Sequence, residues 1–187
     1  MHNIKIDDVQ LRKRGPSIQK LLRIVARNSK AGPAWQGISR GSTYILGVHE
    51  GGVPPTSYYR DWRFSTLISG MRAMYFEEWI KLDRTRKWYL NKAYLNFYKK
   101  VYGSTEEEEF FCLHCDPNEP DASEHALYKK GPHVHVSRAY DHIPHSHIPL
   151  NRCHLPEILA SLDSLVEAFE MGIIMIRDQI LNPMKVQ

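Results

Sequence analysis

Apolar and polar residues alternate along this chain with two different periods, and the changes of period mark its elements. Over residues 16–28, Ile18, Leu21, Leu22 and Val25 recur at helical spacing, basic side chains fill the other faces, and Pro16 suits a first turn. Residues 29–41 are rich in Gly, Pro, Ser and Asn and read as a loop. A short β-like run over 44–48 ends at Gly51, Gly52, Pro54 and Pro55. From residue 62 the period becomes strand-like, with runs over 62–68, 71–82 and 87–100, the last two joined by a turn at Asp83-Arg84-Thr85-Arg86. The aromatic content of 87–100 favours a strand, although a helix with Tyr94, Tyr98 and Tyr102 on one side also fits. Strands over 110–115 and 132–138 flank a polar loop, 116–131. The clearest periodicity is the last. Leu155, Ile158, Leu159, Leu162, Leu165, Val166, Phe169, Ile173 and Ile176 form one helical stripe, with Pro156 in the first turn, Gly172 a weak point and Asn182-Pro183 a stop.

These elements add up to an α+β fold. An antiparallel β-meander of four to six strands is covered on one face by a long C-terminal amphipathic helix, and a basic helix stands at the N-terminus. We expect a single domain over 1–187, comprising a basic helical arm (1–40), a sheet with His-rich loops (41–150) and the C-terminal helix (151–187). The length of 187 residues fits one domain. No apolar run approaches the roughly 20 residues of a spanning helix, and the N-terminus lacks the apolar stretch of a signal peptide. Three cysteines cannot all pair within the chain, so a reducing compartment, the cytoplasm, is the expectation. Membrane, disulfide-scaffold, collagen-like and coiled-coil classes are excluded on these grounds.

Charge changes the picture locally. The formal total is +4, yet residues 1–40 carry nine Lys and Arg against Asp7 and Asp8, a net of +7. Arg12, Lys13, Arg14, Lys20, Arg23 and Arg27 are therefore candidates for binding nucleic acid or an acidic partner surface. The bland alternative is a solvated helix face.

Histidine changes it more. Eight of the ten histidines lie between His114 and His154, and Cys112, Cys115 and Cys153 sit at the edges of the same window. Strand alternation places His133 and His135 on one face, opposite Val134 and Val136. It also places Cys112 with His114, opposite Leu113 and Cys115. His145 and His147 share a face if their segment is extended, which Pro144 and Pro149 favour. Neighbouring antiparallel strands would then gather His114, His133, His135 and one of His145 or His147 on one surface.

Several chemistries fit such a surface. Histidine pairs titrate near neutral pH, so His133 and His135 first, and His145 and His147 second, are candidates for acid/base work on a phosphodiester, with Arg138 stabilising developing charge. A zinc ion on Cys112, Cys115, Cys153 and His154 is a weaker alternative, because a strand turns Cys112 and Cys115 to opposite faces. Cys153 as a thiol nucleophile ahead of the helix is a further alternative. The remaining reading is structural: histidines that cap strand ends or line a partner interface.

The segments Met74-Tyr-Phe-Glu-Glu-Trp-Ile-Lys-Leu82, Trp88-Tyr-Leu-Asn-Lys-Ala-Tyr94, Pro132-His-Val-His135 and Pro144-His-Ser-His147, followed by the helix from Leu155, resemble TumE-type toxins of bacterial toxin–antitoxin pairs. The resemblance covers roughly residues 73–187; Tyr128-Lys-Lys-Gly131 stands where that family has Arg-Tyr-Asp ahead of the first histidine. It implies a bacterial cytoplasmic protein of growth control or phage or plasmid defence, with a cognate partner protein. Taken together, the expectation is a toxin- or defence-type protein whose His-rich face binds or cleaves nucleic acid. The alternative is a non-enzymatic accessory subunit of a larger complex with structural or metal-holding histidines.

Overall fold

A computed structural model describes residues 4–51, 61–122, 125–136, 146–150 and 154–185. The fold is α+β, an open antiparallel sheet of nine strands with helices on one face. The strands are β1 (Lys5–Asp7), β2 (Ala34–Arg40), β3 (Thr43–His49), β4 (Phe64–Ser65), β5 (Met71–Lys81), β6 (Lys87–Lys100), β7 (Glu107–Cys115), β8 (His133–Val136) and β9 (Ser146–Pro149). Their order is β2-β3-β5-β6-β7-β8-β9, with β1 beside the start of β6 and β4 beside the start of β5. The long hairpin β5–β6 is the centre of the sheet. The third run adopts the strand form, because its alternation buries Trp88, Leu90, Ala93, Leu95 and Phe97.

The N-terminal helix α1 spans Asp8–Leu22 and so begins eight residues before Pro16. A capping box starts it: Gln10 N–H donates to Asp7 Oδ1 (2.8 Å) and Asp7 N–H donates to Gln10 Oε1 (3.0 Å). Pro16 lies inside the helix on its exposed side. Residues 34–40, expected as loop, form β2. The expected run over 62–68 contracts to the two residues of β4.

The C-terminal stripe is divided. α2 (Ala126–Lys129) and α3 (Leu155–Ile158) are single turns. Ser161 is extended and accepts a hydrogen bond from Ser164 N–H (3.1 Å), so a new helix, α4 (Leu162–Ile176), starts there. α4 runs on through a π-helical turn (Arg177–Leu181) and a last turn (Asn182–Met184), so Asn182-Pro183 falls within the final turn. Gly172 leaves α4 intact. It allows close approach instead, because a Cβ there would lie 3.1–3.2 Å from Leu150 and Leu113.

One sheet face carries the main core. Tyr75, Trp79, Leu95, Phe97, Leu113 and Cys115 pack beneath Leu11, Ile18 and Leu22 of α1 and Leu165, Phe169 and Ile173 of α4. The opposite face bears a smaller apolar cluster, Ile45, Trp62, Met74 and Phe76, against which Tyr94 and Tyr98 pack. His114, His133, His135 and His147 lie on this second face. Among the described residues no helix is long and apolar enough to cross a membrane.

Candidate metal centre

Period two fixes the face of each side chain, and register decides which of them meet. Antiparallel pairing sets Cys112 opposite His135 and His114 opposite His133 across β7 and β8. On β9, His147 lies opposite His135. On β6, Asn96 lies opposite Cys112 and Tyr94 opposite His114. One row across the sheet therefore reads Asn96, Cys112, His135, His147, and the next reads Tyr94, His114, His133, Pro149.

The rings form a packed array. His114 stacks on Tyr94 at 3.9 Å between centroids and on His135 at 5.1 Å. His147 lies 4.9 Å from His135 and 5.1 Å from His133, with His125 a further 5.8 Å away. Cys112, His114 and His135 each bring one ligand atom within 4.8 Å of the others, so these three side chains form a group able to hold a metal ion.

Hydrogen bonds define how the imidazoles are presented. Asn96 Nδ2 donates to Glu109 Oε2 (3.0 Å), which fixes the amide so that Asn96 Oδ1 faces His114. His114 Nε2–H therefore donates to Asn96 Oδ1 (2.9 Å), and the ring's lone pair is on Nδ1. His133 Nδ1–H donates to the Gly131 carbonyl (3.0 Å), leaving its lone pair on Nε2. Glu109 stands beneath the group. It receives the Cys112 thiol, and its Oε1 is 3.9 Å from His135 Nδ1.

Burial sets the protonation. Loss of water, followed by the repulsion of His133, His135 and His147, pushes His114 down to about 2. Burial likewise pushes His133 down to about 4 against the opposing pull of the Gly131 carbonyl. Both rings are neutral at physiological pH. The Cys112 thiol is pushed far up by burial and then by Glu109. At the edge of the site, burial raises Asp116 to about 6 while it accepts the Tyr94 hydroxyl (2.6 Å).

The structure brings together His133, His135 and His147 of the expected site. Arg138, His145 and Cys153 lie outside the described residues. The four-ligand zinc set is not assembled: Cys115 points into the main core, its thiol donating to the Lys130 carbonyl, while Cys112 points to the histidine face. His154 is exposed at the start of α3. Of the basic candidates, Arg12, Lys13, Lys20, Arg23 and Arg27 are exposed. Arg14 is not part of that surface; it is buried and paired with Glu77 at 2.6 Å. Because α1 packs on the main-core face, the exposed cations and the histidines stand on opposite sides of the sheet.

His114, Asn96 and Glu109 complete the site beyond the expected acid/base residues. Period two along β6 puts Asn96 with Tyr94 on one face. Its place opposite Cys112 follows only from register.

Comparison with known proteins finds no matching family model, no matching curated protein and no matching solved structure.

Proposed function

We propose that this protein holds a zinc-class metal ion on its histidine face and acts there as a binding protein rather than as a hydrolase. The observation that carries this is the convergence of Cys112, His114 and His135 within 4.8 Å. A ligating imidazole must be neutral, and burial has already removed the proton from His114. One thiolate with imidazoles is a donor set suited to Zn²⁺ among the common divalent ions, whereas Mg²⁺ and Ca²⁺ take oxygen. Glu109 below the thiol and Asn96 on His114 are the outer-shell acceptors that orient such ligands.

The same facts weigh against metal-free acid/base cleavage at this face. A general acid needs a histidine protonated near neutral pH, and His133 at about 4 does not supply it. Cys112 and His133 are also fully buried, so a polymer substrate reaches neither, although His135 and His147 are partly exposed. The toxin-like expectation draws on the sequence resemblance. The accessory-subunit alternative agrees better with a buried metal-holding site. A second surface, the exposed cations of α1, suits an anionic partner such as nucleic acid or an acidic protein.

The test is elemental analysis of protein reconstituted with Zn²⁺ and dialysed. The expected result is one zinc per chain, lost in Cys112→Ser and His114→Ala. Protein that retains no zinc, or variants that retain it fully, would falsify the metal reading.

A further inference from the structure

A cavity of about 500 Å³ opens at the end of the sheet where β5 begins and β6 ends, and no histidine lines it. Three segments meet there. The chain leaving α1 is tied to β4: Arg27 N–H donates to the Ser65 carbonyl (2.9 Å) and Leu67 N–H to the Val25 carbonyl (3.0 Å). Ahead of β5, Met71 N–H donates to the Ile68 carbonyl (3.2 Å), a turn that needs Gly70 in the left-handed region, at φ +77°. At the end of β6, Lys100 N–H reaches the Gly70 carbonyl (3.4 Å). Arg27, Arg72 and Lys100 therefore line one cavity from separate segments. The one lining carboxylate, Glu107, is already engaged by Arg63 at 2.5 Å and by Arg72 at 3.8 Å. Lys100 stands opposite Glu107 in register, yet neither its ammonium nor the Arg27 guanidinium has an ion pair or hydrogen bond among the described residues. Two lining hydroxyls are committed, Thr66 to the Met71 carbonyl (3.0 Å) and Ser65 to Glu50 (3.0 Å). Those of Ser69 and Thr105 have no partner among the described residues.

We propose that this cavity binds a small phosphorylated molecule, with Arg27, Arg72 and Lys100 on the oxygens of its phosphomonoester group and the Ser69 and Thr105 hydroxyls as further donors. Three cations against one engaged carboxylate leave the lining with unbalanced positive charge. A phosphomonoester carries about −1.5 to −2 near neutral pH and offers three strong acceptor oxygens, so it matches both the charge and the number of donors. A carboxylate supplies about half that charge and two oxygens. Guanidinium forks take phosphate oxygens in pairs, and an ammonium adds a point charge. The volume lies within the roughly 300–1,000 Å³ of small-molecule sites. No lining side chain is aromatic, so nothing offers a nucleobase a stacking platform, and the rest of the ligand is a compact, non-aromatic body. The site shares no residue with the histidine face and does not depend on metal.

The test is isothermal titration calorimetry of the full chain with glycerol 3-phosphate, and with glycerol as the control. One glycerol 3-phosphate should bind per chain, and glycerol should give no binding heat. A hydrogen bond to a charged group accounts for roughly tenfold or more in affinity, so Arg27→Gln and Lys100→Gln should each weaken binding by about that factor. Both side chains are exposed, so thermal melting should be unchanged in these variants. Glu107→Gln removes the opposing carboxylate and releases Arg72, and it should tighten binding several-fold, a gain that a merely structural role would not produce. The double variant Arg86→Gln/Lys87→Gln takes the same charge from exposed positions at the other end of the β5–β6 hairpin and should bind as the unmodified chain does. Absence of saturable binding, full affinity in Arg27→Gln and Lys100→Gln, or an equal loss in the Arg86/Lys87 variant overturns the proposal. A 5′-phosphorylated oligonucleotide that binds through Arg27 and Lys100 while glycerol 3-phosphate does not would overturn the small ligand in favour of a strand end.

Discussion

Glu77 is wholly buried in the main-core face and takes hydrogen bonds from three side chains. Arg14 donates from Nε at 3.1 Å and from Nη2 at 2.6 Å, Tyr75 from its hydroxyl at 2.7 Å, and Trp79 from Nε1 at 2.9 Å. Such a network is worth little net against an apolar replacement, but breaking one side leaves a buried charge unpaired. Glu77→Gln should therefore cost about 3–5 kcal/mol in urea denaturation, and the pair Arg14→Met/Glu77→Leu should recover most of it. A cost for Glu77→Gln below about 1 kcal/mol would show that Arg14 escapes to water. The buried histidines make a second prediction at this scale. His133 has its folded value of about 4 below the ordinary 6.5, so the unfolded chain takes the proton first. Its contribution is present above pH 6.5 and is lost as pH falls toward 4, on the order of 3 kcal/mol, with His114 adding in the same direction. Asp116 opposes this. Its folded value of about 6 lies above the ordinary 3.8, so acidification through that window favours the folded state. Metal-free protein should lose stability between pH 6.5 and 4, and Asp116→Asn should deepen the loss. A flat profile in both proteins is the contrary result.

At the level of elements, local signals decide where a segment starts, and neighbours decide what it meets. The helix α1 owes its first turn to Asp7 and Gln10. Asp7→Ala should therefore cost about 1 kcal/mol in chemical denaturation and raise amide exchange over residues 8–10. No change would mean that β1, which pairs with β6, holds the start by itself. The contrast with Pro16 explains the misplaced boundary. A proline is a stronger sequence mark than an Asp-x-x-Gln box, yet here the ring is accommodated on the exposed side. β2 was hidden for a related reason. Gly37 looks like a loop residue, but a Cβ there would meet the Tyr44 hydroxyl at 1.8 Å, so glycine serves the cross-strand packing of β2 on β3. The faces of β7 and β8 were legible, since alternation alone separates Cys112 and His114 from Cys115. Which histidine meets which was not, because register depends on hairpin geometry that no single segment encodes. Asn96 and Glu109 escaped for the same reason: each matters only through the strand beside it.

For the molecule as a whole, the sheet acts as a partition. α1 and α4 share one face and the histidine array occupies the other, so the positive arm and the candidate metal centre form two surfaces and cannot share one flat footprint. Arg14 is withdrawn into the core, which leaves Arg12, Lys13, Lys20, Arg23 and Arg27 exposed, with Lys5, Lys30 and Arg40 also exposed in the arm. Contacts of this kind with phosphates are sequence-tolerant and depend steeply on salt, each neutralised phosphate contributing roughly one unit to the log–log slope. Replacing Arg12, Lys13, Lys20 and Arg23 by Gln should weaken binding to a generic DNA or RNA duplex and flatten the salt slope by about three to four. Zinc stoichiometry should be unchanged in that variant. Conversely, Cys112→Ser should abolish zinc retention and leave the salt slope intact. Duplex binding followed by fluorescence anisotropy across a salt series, alongside elemental analysis of the same preparations, measures both. Loss of both properties in either variant would contradict the partition and require one continuous site. Independent losses would make the arm a docking surface for anionic partners, carried on a sheet whose far side binds metal separately.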